Sequence, residues 1–226
     1  MQELVIFTVD GVLVDDGALR ARVWTDTLAA FDHRLDAAAV ARRIEGRDDR
    51  AVLASIEREL GRPLGEVAAA TFERRLGDAY RRELRATADA VGTLRRLPRP
   101  VCAIAGASRA SARAALESAG LWAPIAPHLF TTDQVANPPP AGELPQFAAA
   151  QMGAPVARCV LVAASETAVR AGRAAGMAAM GFAGAGHVVP EVQARKLAAA
   201  GAHLTFDRLS ELPPLLRARA VARAAA

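Results

Sequence analysis

The stretch Leu4-Val-Ile-Phe-Thr-Val-Asp-Gly-Val-Leu-Val-Asp15 decides how this chain folds. Residues 4–7 form a short β-prone run, and Thr8-Val9-Asp10-Gly11 after it is a polar turn in which glycine allows tight geometry. Beyond it the character changes. From about residue 19 to residue 97 the chain is rich in Arg, Glu, Ala and Leu at helical spacing, with no strand pattern. Residues 37–44, 51–60 and 67–84 are the clearest amphipathic pieces, separated by Gly46 and by Gly61-Arg62-Pro63.

After Pro98 and Pro100, strand and helix alternate. Strands are expected at residues 101–105, within 125–130, and at 159–162, 178–182 and 203–206. Helices are expected over 108–119, 144–152, 166–175 and 209–220, the first three closed by Gly120, Gly153 and Gly176. Strands joined by single helices call for right-handed crossovers and a parallel sheet covered on both faces. The expected class is therefore α/β, with one strand first, a helical insert next, and the rest of the sheet after it.

Composition narrows the function classes. The 226 residues are 52% hydrophobic and 23% charged, as in an ordinary soluble globular protein, and only 4% aromatic, so the core must be aliphatic. The net charge is +4, and the basic residues are arginines apart from Lys196. They lie scattered along helical stretches, as in Arg42-Arg43, Arg74-Arg75 and Arg81-Arg82, without a dense stripe or stacking aromatics. No nucleic-acid partner is expected. No apolar run approaches the ~18 residues that span a bilayer, and no secretory leader is expected, so the chain is read as cytoplasmic and without a membrane partner. Cys102 and Cys159 each sit in an apolar run and read as small buried hydrophobes. His33, His128, His187 and His203 show no metal-ligand spacing.

The segment 4–15 resembles the haloacid dehalogenase (HAD) superfamily, in its phosphoglucomutase and phosphoglycolate-phosphatase-like branch. The resemblance covers essentially the whole chain. Its most specific part is Ser165-Glu-Thr-Ala-Val-Arg-Ala-Gly-Arg-Ala-Ala-Gly-Met177 with Gly181-Phe-Ala-Gly-Ala-Gly-His187. It implies a Rossmann-like, doubly wound parallel sheet with a helical cap inserted after the first strand. The core would be residues 1–16 and 91–226, and the cap residues 17–90. It also implies a Mg2+-dependent phosphohydrolase, whose site positions can be matched one by one.

The family's nucleophile, a strand-end Asp that becomes a phospho-aspartate, falls on Thr8, an unactivated hydroxyl. The general acid and base two residues on is present as Asp10, although Asp10-Gly11 also fits a plain turn. The hydroxyl that should hold the phosphoryl group falls on Gly106, with Ser108 two residues further as a substitute or as a helix N-cap. The lysine falls on Pro139, which has no side-chain donor. The Mg2+ carboxylates fall on Ala163 and Ala164, which offer no oxygen to a hard cation.

The matched positions imply a pseudoenzyme: a HAD-like protein without its phosphoryl-transfer machinery or Mg2+ site, with Asp10 as the retained catalytic residue. It would bind a small phosphate or carboxylate ligand, or a protein partner. Gly11 with its neighbouring amides, Ser108 and Arg109 are the candidate anion-binding positions, because helix N-termini attract anions; Arg109 equally fits an exposed helix residue. Gly46-Arg47 lies where such caps present a substrate-facing loop. One alternative is a working phosphatase or phosphomutase with an unorthodox site around Asp10 and Ser108. Another is a purely structural partner.

Overall fold

The computed structural model describes residues 4–44, 47, 49–97, 100–137 and 141–224. β1 (Leu4–Thr8) is followed by α1 (Gly17–Ala29), α2 (Ala37–Ile44), α3 (Asp49–Leu60) and α4 (Gly65–Glu83). Next come α5 (Ala90–Arg96), β2 (Val101–Ala105), α6 (Arg109–Ser118), the short α7 (Trp122–Ile125) and β3 (Leu129–Thr131). The remainder is α8 (Glu143–Gln151), β4 (Cys159–Ala163), α9 (Glu166–Ala174), β5 (Ala178–Phe182), α10 (Pro190–Ala199), β6 (Leu204–Phe206) and α11 (Leu212–Ala224).

The six strands lie in the order β3-β2-β1-β4-β5-β6, and every pairing is parallel. This is the α/β doubly wound sheet that the alternation of elements called for. The strand runs Val101–Ala105 and Cys159–Ala163 are apolar without a break because helices cover both faces of the sheet. Successive side chains then divide between two cores. Val5, Phe7, Val101, Ala103, Val160 and Val162 join one; Leu4, Ile6, Cys102, Ile104, Leu161 and Ala163 join the other.

The first core runs without interruption into the helices between β1 and β2. Trp24 and Phe72 stack there with ring centroids 4.0 Å apart. α1 packs on α2 and α4, and α4 packs on α6. Both cysteines are buried and neither is in a disulfide, and burial pushes the Cys102 thiol up. Among the described residues, no helix is long and apolar enough to cross a membrane.

β1 lies at the centre of the sheet, and the strand order reverses between it and β4. Parallel sheets open a crevice beyond their strand C-termini at such a switch point. Beside it the loop after β5 passes against the loop after β6: a Cβ on Gly184 would stand 1.8 Å from the carbonyl oxygen of Asp207. The Asp207 backbone on that contact and the buried Phe182 ring, 2.7 Å away, leave little room to relax. Gly184→Ala should cost about 3 kcal/mol, read as a fall in Tm of roughly 6–12 °C in a thermal unfolding scan.

Candidate functional site

At the switch point a cavity of about 1290 Å3 lies between the strand ends and the helices α1–α3. Thr8, Asp10, Gly11, Gly106, Thr132 and Ala164 form its floor. The turn after β1 is fixed locally: the Thr8 hydroxyl donates to the Asp10 carbonyl at 3.3 Å, and the Val9 amide donates to Ile104 O at 2.9 Å. Thr132 Oγ1 donates to Gly106 O at 2.9 Å, joining the ends of β2 and β3. Buried Gln193 of α10 donates to Ala164 O at 2.7 Å and steadies the loop after β4. The methyl of Ala164 packs over Gly11, 2.9 Å from where a Cβ there would stand.

Of the positions singled out from sequence, Thr8, Asp10, Gly11, Gly106 and Ala164 come together on this floor. Ala163 does not; it is fully buried in the second core. Pro139 and Gly46 lie outside the described residues, whereas Arg47 lines the cavity. Two anion-binding expectations need correction, and Ser108 takes its N-cap alternative. The Gly11 amide already donates to Val14 O at 2.8 Å, and the Val9 amide is likewise taken. Ser108 does not line the cavity; it caps α6, accepting from the Ser111 amide at 3.3 Å. Arg109 turns to the β3 side, donating to the Leu129 carbonyl and, at 3.5 Å, to Pro127 O. In its place Lys196, remote in sequence, lines the cavity from α10, with Arg42 and Arg58 opposite.

Two clusters escaped sequence reasoning. The first is buried. Arg20, 7% exposed, donates to Asp49 Oδ1 at 2.7 Å and stands 4.0 Å from Asp16 Oδ2. Tyr80 donates its hydroxyl to Asp16 at 2.7 Å, and the Trp24 indole N–H donates to Asp49 at 3.1 Å. Asp16 and Arg20 at i,i+4 were the one visible sign of it. The second joins the start of α1 to the loop after β5. Asp15 pairs with His187 Nδ1 at 2.7 Å and accepts from the Gly186 amide at 2.7 Å. Those two hydrogen bonds, His187 first, hold the Asp15 carboxyl below its usual range. The His187 ring also lies over Gly17, 2.6 Å from where a Cβ would be.

Asp10 is half-buried, and desolvation, followed by the charge of Asp16, raises its pKa from 3.8 to about 7; Arg20 opposes the rise and Asp49 adds to it. A carboxyl with that pKa can both give and take a proton near neutrality. Asp16 is raised as well, chiefly by burial. Among the described residues no three His, Cys, Asp or Glu side chains converge to hold a metal ion.

Two outcomes follow for stability. Because the native pKa of Asp10 lies above its unfolded value, folded Asp10 keeps a proton that the unfolded chain releases, and stability falls as pH rises from about 4 through 7. Asp10→Asn removes that loss: urea titrations should show it more stable by about 1–2 kcal/mol near pH 8, allowing for solvent screening, and no different near pH 3. Arg20→Met, which strands Asp16 and Asp49, should cost about 3–5 kcal/mol in the same measurement at neutral pH.

A family model described as haloacid dehalogenase-like hydrolase matches residues 2–176. A conserved haloacid dehalogenase-like protein of unknown function from Agrobacterium tumefaciens is 30% identical, with TM-score 0.80 over 97% of this chain and 100% of that one. A HAD family hydrolase from Deinococcus radiodurans, with bound phosphate and sodium, is 29% identical, with TM-score 0.73 over 93% of each chain. CbbY from Rhodobacter sphaeroides, in complex with phosphate, shares the fold at 20% identity, with TM-score 0.78 over 94% of this chain and 96% of that one. No curated protein matches the sequence. With a family model matched over most of its length and a relative superposing along nearly all of it, the chain belongs to the haloacid dehalogenase-like hydrolases.

Proposed function

We propose that the chain is a non-catalytic member of this family that binds a small phosphate or carboxylate anion. One observation carries the reading. Among the described strand-end residues lining the cavity, Asp10 alone bears a carboxylate, with the hydroxyl of Thr8 and the methyl of Ala164 beside it. Phospho-enzyme chemistry of the family's kind needs a carboxylate nucleophile at the end of β1, and a threonine hydroxyl is a poor substitute for one. The family's Mg2+ does not fit these residues, because a hard cation needs several oxygen ligands and Ala164 brings none. Asp16, another carboxyl lining the cavity, is engaged by Tyr80 and Arg20.

Anion binding draws support from the cations around the cavity: Arg42, Arg47 and Arg58 on one side, Lys196 on the other. Guanidinium groups suit phosphate and carboxylate geometry. On this reading residues 17–90 act as a cap over a core of residues 1–16 and 91–226, closing over a ligand rather than over a reaction. A second reading rests on Asp10 itself. Its pKa of about 7 suits a general acid, so a phosphatase or phosphomutase built around Asp10 remains the rival. Ser108, its expected helper, is occupied as a helix cap.

The test is a panel of phosphate monoesters with Mg2+. The unmodified protein should show no turnover above buffer, while Thr8→Asp, Pro139→Lys and Ala164→Asp together should raise turnover above it. Turnover by the unmodified protein that Asp10→Ala abolishes would establish the rival instead. Inorganic phosphate should bind without Mg2+, with Kd about tenfold weaker in Arg58→Ala, a loss of about 1.4 kcal/mol.

A further inference from the structure

We infer that the anion taken by this cavity carries an apolar body: an alkyl or aryl phosphate or carboxylate, rather than a polyhydroxylated phosphate. The inference rests on the anion-binding reading above and specifies the rest of the ligand. Four large apolar side chains are exposed among the described residues, and two of them, Val189 at 60% and Val192 at 43%, line this cavity. Val188 and Phe182 line it beside them. Exposed valines elsewhere on a surface need no explanation, but a cluster facing a cavity marks a surface awaiting an apolar partner.

The charges show which partner. Along α10 and its N-cap, Val189, Val192, Gln193 and Lys196 line the cavity at spacings of three, four and seven residues, which is one face of a helix. Along α3, Ala51, Ala54, Ser55 and Arg58 repeat the same spacings. Each wall therefore begins apolar or small and ends in a cation two turns on, roughly 10 Å along the axis. A molecule complementary to either wall has an anionic head and an apolar body. A sugar phosphate would need hydrogen-bonding partners along its length. The two stripes offer Ser55 and Gln193, and the Gln193 amide already donates to Ala164 O.

Calorimetric titration of the full chain with inorganic phosphate, butyl, hexyl and octyl phosphate, and octanol tests this, with every lipid-like probe below its micelle concentration. Affinity should rise about twofold to fourfold per added CH2 as the chain leaves water. Octanol should bind at least tenfold more weakly than octyl phosphate. Val189→Ser with Val192→Ser, both at exposed positions that the fold does not depend on, should flatten the series. Equal affinity for phosphate and octyl phosphate overturns the inference while leaving the anion-binding reading intact. Failure of every phosphate to bind overturns both. Octanol binding as tightly as octyl phosphate, or an undiminished slope in the double variant, also overturns the inference.

Discussion

A single buried guanidinium holds the arrangement together. Arg20 cannot lie in an apolar interior unpaired, since an uncompensated charge there costs several kcal/mol. Asp16 comes from the N-cap of α1, Asp49 from the start of α3 and Tyr80 from the end of α4. Satisfying one charge therefore fixes three helices of the insert relative to the turn that follows β1. Burial raises the pKa of Asp10 most, and the charges of the same carboxylates add to the rise, so the electrostatics of the cavity floor depend in part on groups that also hold the insert in place. Stability and the state of the floor are not independent variables here.

Much of this was legible in the sequence, and the boundary of legibility is physical. Unbroken apolar runs such as Cys159–Ala163 announce strands buried on both faces, and glycines at 120, 153 and 176 close the helices after which they stand. The floor of the cavity, Thr132 apart, could be read because its residues sit within three positions of a strand end. What could not be read depends on pairs distant in the chain. Arg20 meets Asp49 across 29 residues, and Tyr80 meets Asp16 across 64. Lys196 appeared remote because its separation was counted along the chain. Ser108 took the N-cap role that the sequence also offered, and Arg109 turned to carbonyls beside β3, because the backbone near each had unmet hydrogen-bonding groups.

Membership of a large hydrolase family sets the fold and leaves the chemistry to the site. On the proposed reading, the crevice at the switch point offers several cations but neither a carboxylate nucleophile nor, among the described residues, a cluster of metal ligands. Such a crevice selects by the complementarity of its walls. The contrast between a polar floor, apolar flanks and cationic ends is then what decides the ligand.

The His187 ring lying over Gly17 has a consequence for how this chain can vary. Any side chain at position 17 would occupy the space of the ring and push it off Asp15, releasing the Gly186 turn with it. Removing the imidazole would free that space but leave Asp15 without its chief partner. Positions 15, 17 and 187 thus form one heritable unit. A change tolerated at any one of them is tolerated only in company, so mutations there should be epistatic even though 172 residues of chain separate the aspartate from the histidine.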